Sequence, residues 1–411
     1  MKLRMPILIL TLTVFFTPLY AQDVTLTKGT PADVNMSAAI LKAGVKLFED
    51  AVEKDQLKGA VLLVARNGKV VSHEAIGWRN KEKKLPMKKD TMFRMASNTK
   101  ALVATAISIL ADEKKLSFDD NVRNHIPSFD NYRSGYIKVR HLLSHTSGFR
   151  IHSLFIYPLM EKSPEHPNAP NLQLEVDRFG KIVADEFPPA SYEYSNPGYN
   201  TLGALVEVVS GEKLEVFLKE RIYKPLGMVD SYNHEIAEKL DGKLDRMSVV
   251  YYWNKSEGKW TIGWKPGDKP MLPLVRGSGG AICTTWDFAI VCQMFVNGGI
   301  YDGKRILKPE TAEEMISKQS VLSPEKQKDY KKYYGFGWAI GENGVFSHSG
   351  SDGTFAWADP NTKVIGLVFT QSKEPPVKTG GILEFKQSLP AVFFALHFDI
   401  FSYRRLTYAN R

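Results

Sequence analysis

The sequence predicts an α+β protein in which strands from both ends of the chain form one antiparallel sheet around an inserted, mostly helical region. Three observations lead to this prediction. β-type runs at 59–66 and 69–75 flank an Asn-Gly pair near the start of the chain. Short strand-like runs return only after residue 335. The long middle stretch, 117–273, contains helical segments and loops without a reliable alternation of apolar and polar residues.

The individual elements follow one another in an order that fits this architecture. A helix is predicted at 36–52 from its spacing of apolar residues. Asn67-Gly68 supplies the positive φ angles of a tight hairpin turn. A short extended segment at 92–95 leads to Ser97, which opens a helix through Leu110. The remaining predictions are helices at 199–209, 214–223 and 389–401 and strands at 335–340, 345–348, 354–358 and 364–370. We therefore expect residues 22–411 to form a sheet subdomain (about 35–95 and 285–411) and a helical subdomain (about 96–284).

The N-terminus has the pattern of a secretory signal peptide. Lys2 and Arg4 precede an apolar stretch that ends near Ala21, and this stretch is too short for a comfortable membrane span. We expect residues 1–21 to be removed and the protein to be exported, to the periplasm or the medium. A retained N-terminal anchor is the alternative. No later stretch approaches the length of a membrane span.

Composition and charge narrow the classes of function. The chain has 411 residues, 43% hydrophobic and 24% charged, which is typical of a globular protein. Its formal net charge of +9 comes from scattered lysines and arginines rather than a basic stripe with interleaved aromatics, so we expect no nucleic-acid partner. Cys283 and Cys292 are too few for a disulfide framework, and we expect two free thiols.

A candidate nucleophile lies at the start of the predicted helix that follows residue 95. The segment from Ser97 to Lys100 reads S-x-x-K, and positions i and i+3 of a helix share one face, so the amine can reach the hydroxyl. The Ser97 N–H at the helix start can stabilise an oxyanion. A desolvated lysine loses its proton more readily and can serve as a base. By itself the motif is weak, because Ser97 could simply cap the helix.

Two further segments strengthen the motif. Tyr194-Ser195-Asn196 places a phenol and a carboxamide on one loop before a helix. His348-Ser349-Gly350 ends a late strand, and an edge of small residues can lie beside a reactive serine. His141 and His145, four residues apart, have no carboxylate nearby in the sequence, so we interpret them as structural and expect no metal.

In this order, S-x-x-K, Tyr-x-Asn and His-Ser-Gly resemble the motif set of the penicillin-recognising serine enzymes. The flanking segments RHLLSHTSGF, FPPASYEYSNPGYNTLG and PLGM resemble the branch that contains class C β-lactamases, DD-peptidases and esterases. The resemblance runs from about residue 50 to 371. It implies a β-lactamase/transpeptidase-like fold and a serine hydrolase that works through an acyl-enzyme without a cofactor.

The resemblance also implies a role for each matched residue. Ser97 would be the acylated nucleophile, Lys100 its partner, and Tyr194 the proton carrier. Asn196 would bind the acyl side-chain amide. The backbone N–H groups of Ser97 and Ser351 would form the oxyanion hole, and the remaining substrate-binding residues would be His348, Ser349 and Gly350. Whether Lys100 alone or the Lys100–Tyr194 pair is the base stays open at this stage.

Two features bear on the choice of substrate. Lys378-Thr379-Gly380 spells the third motif literally, but it follows the last predicted strand, so we prefer His348. A lysine at that position would supply a fixed positive charge for a substrate carboxylate, whereas a histidine is charged only part of the time near neutral pH. We therefore expect a small ester, amide or peptide substrate, cleaved by an esterase, a D-amino-acid peptidase or a DD-peptidase, and weak β-lactamase activity is compatible with the sequence. A non-catalytic or slowly acylating sensor of envelope fragments is the alternative.

Overall fold

The computed structural model describes residues 23–150, 157–270, 272, 274–321 and 333–373. Three features of the sequence discussed above lie outside this part of the chain: the signal peptide at 1–21, the helix at 389–401 and the Lys378-Thr379-Gly380 motif. Within the described residues, no helix combines the length and apolar character needed to cross a membrane.

The main sheet joins the two ends of the chain, as the sequence predicts. The strands of this sheet are β1 (Thr27–Lys28), β2 (Gly59–Arg66), β3 (Lys69–Asn80), β4 (Leu85–Pro86), β11 (Ser320–Val321), β12 (Tyr333–Tyr334), β13 (Ala339–Ile340), β14 (Phe346–Ser349), β15 (Thr354–Asp359) and β16 (Val364–Phe369). They lie in the order β1-β3-β2-β16-β15-β14-β13-β12-β11, with β4 attached to β3. The central contact is antiparallel and pairs β2 with β16 from Val61–Phe369 to Arg66–Val364. All other pairs in this sheet are antiparallel except β1 with β3.

The predicted hairpin turn between β2 and β3 has the expected backbone conformation. Asn67 has a φ of 50° and Gly68 a φ of 75°, the left-handed values that a type I′ turn requires. A Cβ at Gly68 would also lie 2.8 Å from the carbonyl oxygen of Thr25, so glycine is required there for space as well as for conformation.

Helices cover both faces of the sheet. On one face α1 (Ala38–Glu53) buries Leu41 and Phe48 against Val64 and Trp357. On the other face α8 (Thr285–Val296) packs on β15 and β16. This arrangement confirms the predicted α+β sandwich.

The helical part of the chain is organised around α2 (Thr99–Asp112). Every residue from Thr99 to Leu110 is buried, so this helix lies in the interior rather than on a surface. It packs on α5 (Asn196–Ser210), which in turn contacts the smaller helices. The bounds of the remaining helices are α3 (Val139–Leu143), α4 (Leu172–Gly180), α6 (Leu214–Leu218), α7 (Lys224–Leu226) and α9 (Pro309–Met315). A π-helical turn, Lys219–Tyr223, joins α6 to α7 within the predicted helix at 214–223.

The middle stretch contains a β-hairpin that the sequence prediction missed. Strands β6 (Val250–Asn254) and β7 (Lys259–Trp264) pair antiparallel, and β17 (Ser372–Lys373) joins β6 in parallel. Consecutive aromatic residues in β6 hide its alternation, because both faces of the hairpin carry large side chains. Trp253 and Trp260 face each other across the hairpin with ring centroids 5.5 Å apart. The short pairs β5 (Phe93–Arg94) with β8 (Ile282–Cys283) and β9 (Ile300–Tyr301) with β10 (Lys304–Arg305) complete the strands.

The structure also tests the predicted strand at 335–340 and the expected state of the two cysteines. The predicted strand at 335–340 begins only at Ala339, because Gly337 has a φ of 81° and its backbone lies against α2, where a Cβ would come within 2.9 Å of Lys100 O. Cys283 and Cys292 are buried free thiols, as expected.

Candidate active site

Ser97 lies in a 3-10 turn, Ala96–Asn98, between β5 and α2. Ala96 has a φ of 45°, a left-handed conformation that residues with a side chain rarely adopt. Thr99 holds this backbone, since its hydroxyl donates to Ala96 O at 2.6 Å and accepts the Ala281 N–H at 3.1 Å. The strained turn presents a half-buried Ser97 at the start of the buried helix.

Lys100 is fully buried one turn later, with three polar atoms around its amine. Nζ lies 3.2 Å from Ser97 Oγ, 2.8 Å from Asn196 Oδ1 and 2.9 Å from Ser278 O. Burial lowers the pKa of Lys100 well below its usual value, and the positive charge of Arg276 lowers it further. The site therefore favours a neutral amine beside the serine hydroxyl.

Tyr194 lies over this amine. Its ring centroid is 4.6 Å from Lys100 Nζ. Burial raises the pKa of the Tyr194 phenol above its usual value, and hydrogen bonding with Ser97 opposes this only in part. The phenol is therefore neutral at ordinary pH and carries a proton that it can donate.

His145 supports the loop that carries Tyr194. The Ser195 N–H donates to His145 Nδ1 at 3.1 Å, and the Glu193 N–H donates to the His145 carbonyl at 2.9 Å. The His145 ring packs 4.5 Å from the Tyr194 ring and 4.7 Å from the Tyr334 ring, measured between centroids. These contacts fit the structural interpretation of His145. Among the described residues no three His, Cys, Asp or Glu side chains come close enough together to hold a metal ion.

The end of β14 passes beside the Ser97 turn. The buried Asn98 carboxamide links the two, with Nδ2 donating to His348 O at 3.0 Å and Oδ1 accepting the Gly350 N–H at 3.2 Å. A Cβ at Gly350 would lie 2.3 Å from Met95 O, so this approach requires glycine. Ser349, next to it, is exposed.

The two predicted oxyanion donors are free to bind a ligand. Neither the Ser97 N–H nor the Ser351 N–H donates a hydrogen bond to another group in the described part of the chain. Ser351 follows the strand end that Asn98 ties to the Ser97 turn, and it is exposed. Two free N–H groups near a nucleophile are the arrangement that stabilises a tetrahedral oxyanion.

His348 is buried and held in one tautomer. Nδ1 lies 2.9 Å from Ser349 O, which can only accept, so Nδ1 carries the proton. Nε2 then accepts a hydrogen bond from the Tyr334 hydroxyl at 3.0 Å. Burial lowers the pKa of His348 to about 3, so the ring is neutral at physiological pH. The sequence predicted a histidine that is charged part of the time near neutral pH. Burial, which the sequence does not reveal, keeps the His348 ring neutral instead.

A sequence model of the β-lactamase family matches residues 45–386, which is most of the chain. The chain belongs to the β-lactamase family. This is a family of serine hydrolases. The match includes the segments that hold Ser97, Tyr194 and His348.

Known relatives of this β-lactamase-family chain include two proteins of Bacillus subtilis. It is 27% identical to penicillin-binding protein 4* of Bacillus subtilis over 333 residues, 78% of this chain and 68% of that protein. It is 26% identical to the N-acetylmuramyl-L-alanine amidase of Bacillus subtilis, over 81% of this chain and 82% of the relative. The solved structure of EstCE1, described as a hydrolase with promiscuous acyltransferase activity, superposes with a TM-score of 0.70. That match covers 85% of this chain and 98% of EstCE1 at 21% identity, and it shows the shared fold.

The fold brings the predicted site residues together from three separate segments. Ser97, Lys100 and Asn196 meet through the amine, and Tyr194 covers it. His348, Ser349, Gly350 and Ser351 lie on the strand end that Asn98 joins to the nucleophile turn. Their catalytic roles remain predictions at this point.

Three residues of the site were not singled out from the sequence. Asn98 lies inside the S-x-x-K motif, where its neighbours gave the only signal. Ser278 contributes a backbone carbonyl, which no side-chain pattern announces. Tyr334 contacts His348 from β12, and its Tyr-Tyr-Gly context resembles ordinary core sequence.

The neutral His348 predicts a loss of stability in acid. Its pKa is 6.5 when unfolded and about 3 when folded, so its contribution is complete above pH 6.5 and declines as the pH falls toward 3. His73 and His141, whose pKa values burial lowers to about 4, act in the same direction. We expect His348→Gln to reduce the slope of the free energy of unfolding by about 1.4 kcal/mol per pH unit between pH 6 and 4. Urea titrations at several pH values measure this slope, and an unchanged slope would contradict the assignment.

Proposed function

We propose that this protein is an exported serine hydrolase that cleaves an ester or amide through an acyl-enzyme on Ser97. The observation that carries the proposal is the environment of Lys100. A fully buried amine lies 3.2 Å from the serine hydroxyl, and its two other polar neighbours are oxygens of Asn196 and Ser278.

The hydrogen bonds of Lys100 fit a neutral amine. Such an amine has two hydrogens and one lone pair. Asn196 Oδ1 and Ser278 O are acceptors, so they take the two hydrogens. The lone pair then faces Ser97 Oγ and accepts its proton. A general base needs this arrangement before the substrate arrives.

Acylation then proceeds by attack of Ser97 on the carbonyl carbon and collapse of the resulting oxyanion. Ser97 Oγ attacks the substrate carbonyl carbon while its proton passes to Lys100 Nζ. The new C–O bond and the oxyanion form together, and the N–H groups of Ser97 and Ser351 stabilise the negative charge. When the oxyanion collapses, the bond to the leaving group breaks and the Tyr194 hydroxyl protonates the departing oxygen or nitrogen. Lys100 returns its proton to Tyr194, which restores both groups.

Hydrolysis of the acyl-enzyme reverses this sequence with water in place of the leaving group. As the water oxygen attacks the acyl carbon, Tyr194 takes one water proton and passes its own proton to Lys100 Nζ. The ester bond to Ser97 breaks, and the proton returns to Ser97 Oγ. The amide NH2 of Asn196 has no partner among the described residues, so it can donate to an amide carbonyl on the acyl group.

A hydrolysis panel tests the substrate class. The mature protein is assayed with p-nitrophenyl esters, peptides ending in D-Ala-D-Ala, and nitrocefin. We expect turnover of esters or peptides and at most slow turnover of nitrocefin, because the neutral His348 leaves the third motif without the cation that a lysine there would offer to its carboxylate. The EstCE1 hydrolase and the amidase relative support testing both bond types. Stoichiometric acylation without turnover would instead indicate a slowly acylating sensor.

Export is a separate part of the proposal and has its own test. It is supported by Lys2, Arg4 and the apolar stretch that follows them. The intact mass of the protein from the periplasm or medium should correspond to loss of about 21 residues. Recovery of the full-length mass in the membrane fraction would point to a retained anchor.

Tyr194→Phe provides the sharpest test of proton transfer. We expect kcat/KM for an ester to fall by about 10²- to 10³-fold, because the variant keeps the ring over Lys100 but loses the hydroxyl. Steady-state kinetics measure this loss. Tyr192→Phe, on the same loop, is the matched control and should retain most of the activity. Unchanged kcat/KM in the Tyr194 variant would remove this residue from the mechanism.

A further inference from the structure

The clearest group that the mechanism leaves unused is Arg276. Only 9% of this residue is exposed, and its guanidinium makes no hydrogen bond and no ion pair within 4.0 Å to any other described residue. The guanidinium therefore has five N–H donors that no described residue uses.

Arg276 lies beside the catalytic turn. A Cβ at Gly279 would come within 3.4 Å of Arg276 Nε and within 3.7 Å of Ala96 O. Arg276 Nε and the carbonyl oxygen of the residue preceding Ser97 therefore both lie next to the Gly279 Cα. Ser278, between the two, supplies the carbonyl that binds Lys100.

The acidic residues nearby are directed toward a different arginine. Asp352 lies 3.3 Å from Arg94 Nε, and Glu235 lies 3.7 Å from Arg94 NH2. The two carboxylates lower the net positive charge around Arg94 and Arg276, and Glu235 acts on Arg276 from a longer distance. Neither of them supplies the direct, two-pronged contact that a guanidinium prefers.

We propose that Arg276 binds a carboxylate of the substrate beside Ser97. This inference rests on the proposed function and names its substrate class: an ester or amide that carries a free carboxylate near the scissile bond. The fixed positive charge that binds the carboxylate is then the guanidinium of Arg276. It does not lie on the third motif, where His348 is neutral. Arg276 is thus a specificity-determining residue that neither gives nor accepts a proton, although its charge helps to lower the pKa of Lys100.

Matched ester pairs test this assignment. One pair is a 3-carboxyphenyl ester and the phenyl ester of the same acyl group, which places the charge on the leaving group. The other is the p-nitrophenyl esters of glutarate and butyrate, which place it on the acyl group. We expect the wild type to prefer the anionic member of at least one pair in kcat/KM. Arg276→Gln should reduce that preference, taken as the ratio of the two kcat/KM values, by about 10- to 100-fold. Loss of the Arg276 charge also raises the pKa of Lys100, and this affects both members of a pair alike and leaves their ratio unchanged. Arg276→Lys should restore part of the preference.

Arg246→Gln is the matched control. Arg246 is another partly buried arginine, and its partner Asp230 keeps Lys243 at 2.9 Å when the guanidinium is removed. This control should retain the anionic preference. If Arg276→Gln lowers both members of each pair equally, Arg276 is only structural, and the proposal is wrong. The same conclusion follows if the wild type has no anionic preference.

A binding measurement separates this inference from the proposed function. Hippurate carries an amide and a carboxylate, and its binding to Ser97→Ala can be followed by calorimetry without any turnover. We expect the added Arg276→Gln change to weaken hippurate binding by about tenfold or more while hippuric acid amide is unaffected. Binding that depends on Arg276 in a protein that hydrolyses nothing would contradict the proposed function alone. Binding that is independent of Arg276 would contradict this inference alone.

Discussion

Ser97→Ala is expected to abolish covalent labelling by a fluorophosphonate or penicillin probe and to lower kcat by about 10⁴- to 10⁶-fold. The reason is that no other hydroxyl in the described structure combines a buried amine at 3.2 Å with two free N–H groups on neighbouring segments. Intact-mass spectrometry after probe treatment measures labelling, and an ester assay measures turnover.

Ser108→Ala is the matched control for this result. Ser108 lies on the same helix, and its buried hydroxyl has no hydrogen-bond partner, so the alanine should fold and react as the wild type does. Equal labelling of Ser97→Ala and the wild type would show that another residue is acylated. Loss of labelling in both serine variants would point to a general loss of structure instead.

The sequence could predict the parts of the site that depend on local spacing. Ser97 and Lys100 are one helical turn apart, so a helix alone brings them together. Tyr194 and Asn196 lie on either side of Ser195, the N-cap of α5, so the start of that helix fixes them close together. The β-type runs near the two ends of the chain predicted that early and late strands pair, and β2 pairs with β16 in this way.

Other parts depend on tertiary contacts that no local pattern contains. Ser278 acts through its backbone, and Arg276 matters because it is buried without a close partner. The charge of His348 depends on burial and on the Tyr334 hydroxyl from another strand. The hairpin at 250–264 was missed because its stability comes from cross-strand aromatic contacts rather than a simple alternation.

The lowered pKa of Lys100 and the raised pKa of Tyr194 have one cause. Lys100 is buried and the half-buried Tyr194 lies over its amine, and the loss of solvation disfavours the charged form of each group. The amine is therefore held as a base and the phenol as an acid, which is the pairing that acyl transfer needs. This favours Lys100 as the group that first accepts the serine proton, with Tyr194 as the donor to the leaving group.

Lys100→Met is expected to lower kcat/KM for an ester by about 10²- to 10⁴-fold, because methionine fills the same volume without a lone pair to accept the Ser97 proton. In the wild type we expect activity to fall as the pH drops through the lowered pKa of Lys100, since protonation removes the base. The variant should lose this acid limb, so the ratio of the two rates narrows as the pH falls. Stopped-flow acylation kinetics across the pH range measure both effects.

Lys58→Met is the matched control, since Lys58 is a second buried lysine whose partner Asp55 keeps Lys81 at 2.8 Å. This control should retain the wild-type rate and the acid limb. A Lys100 variant with an unchanged acid limb would assign that limb to another group. Because the amine and the phenol share one buried site, such a result would transfer the role of base to Tyr194 and would require a phenolate. The raised pKa of the phenol argues against that form at neutral pH.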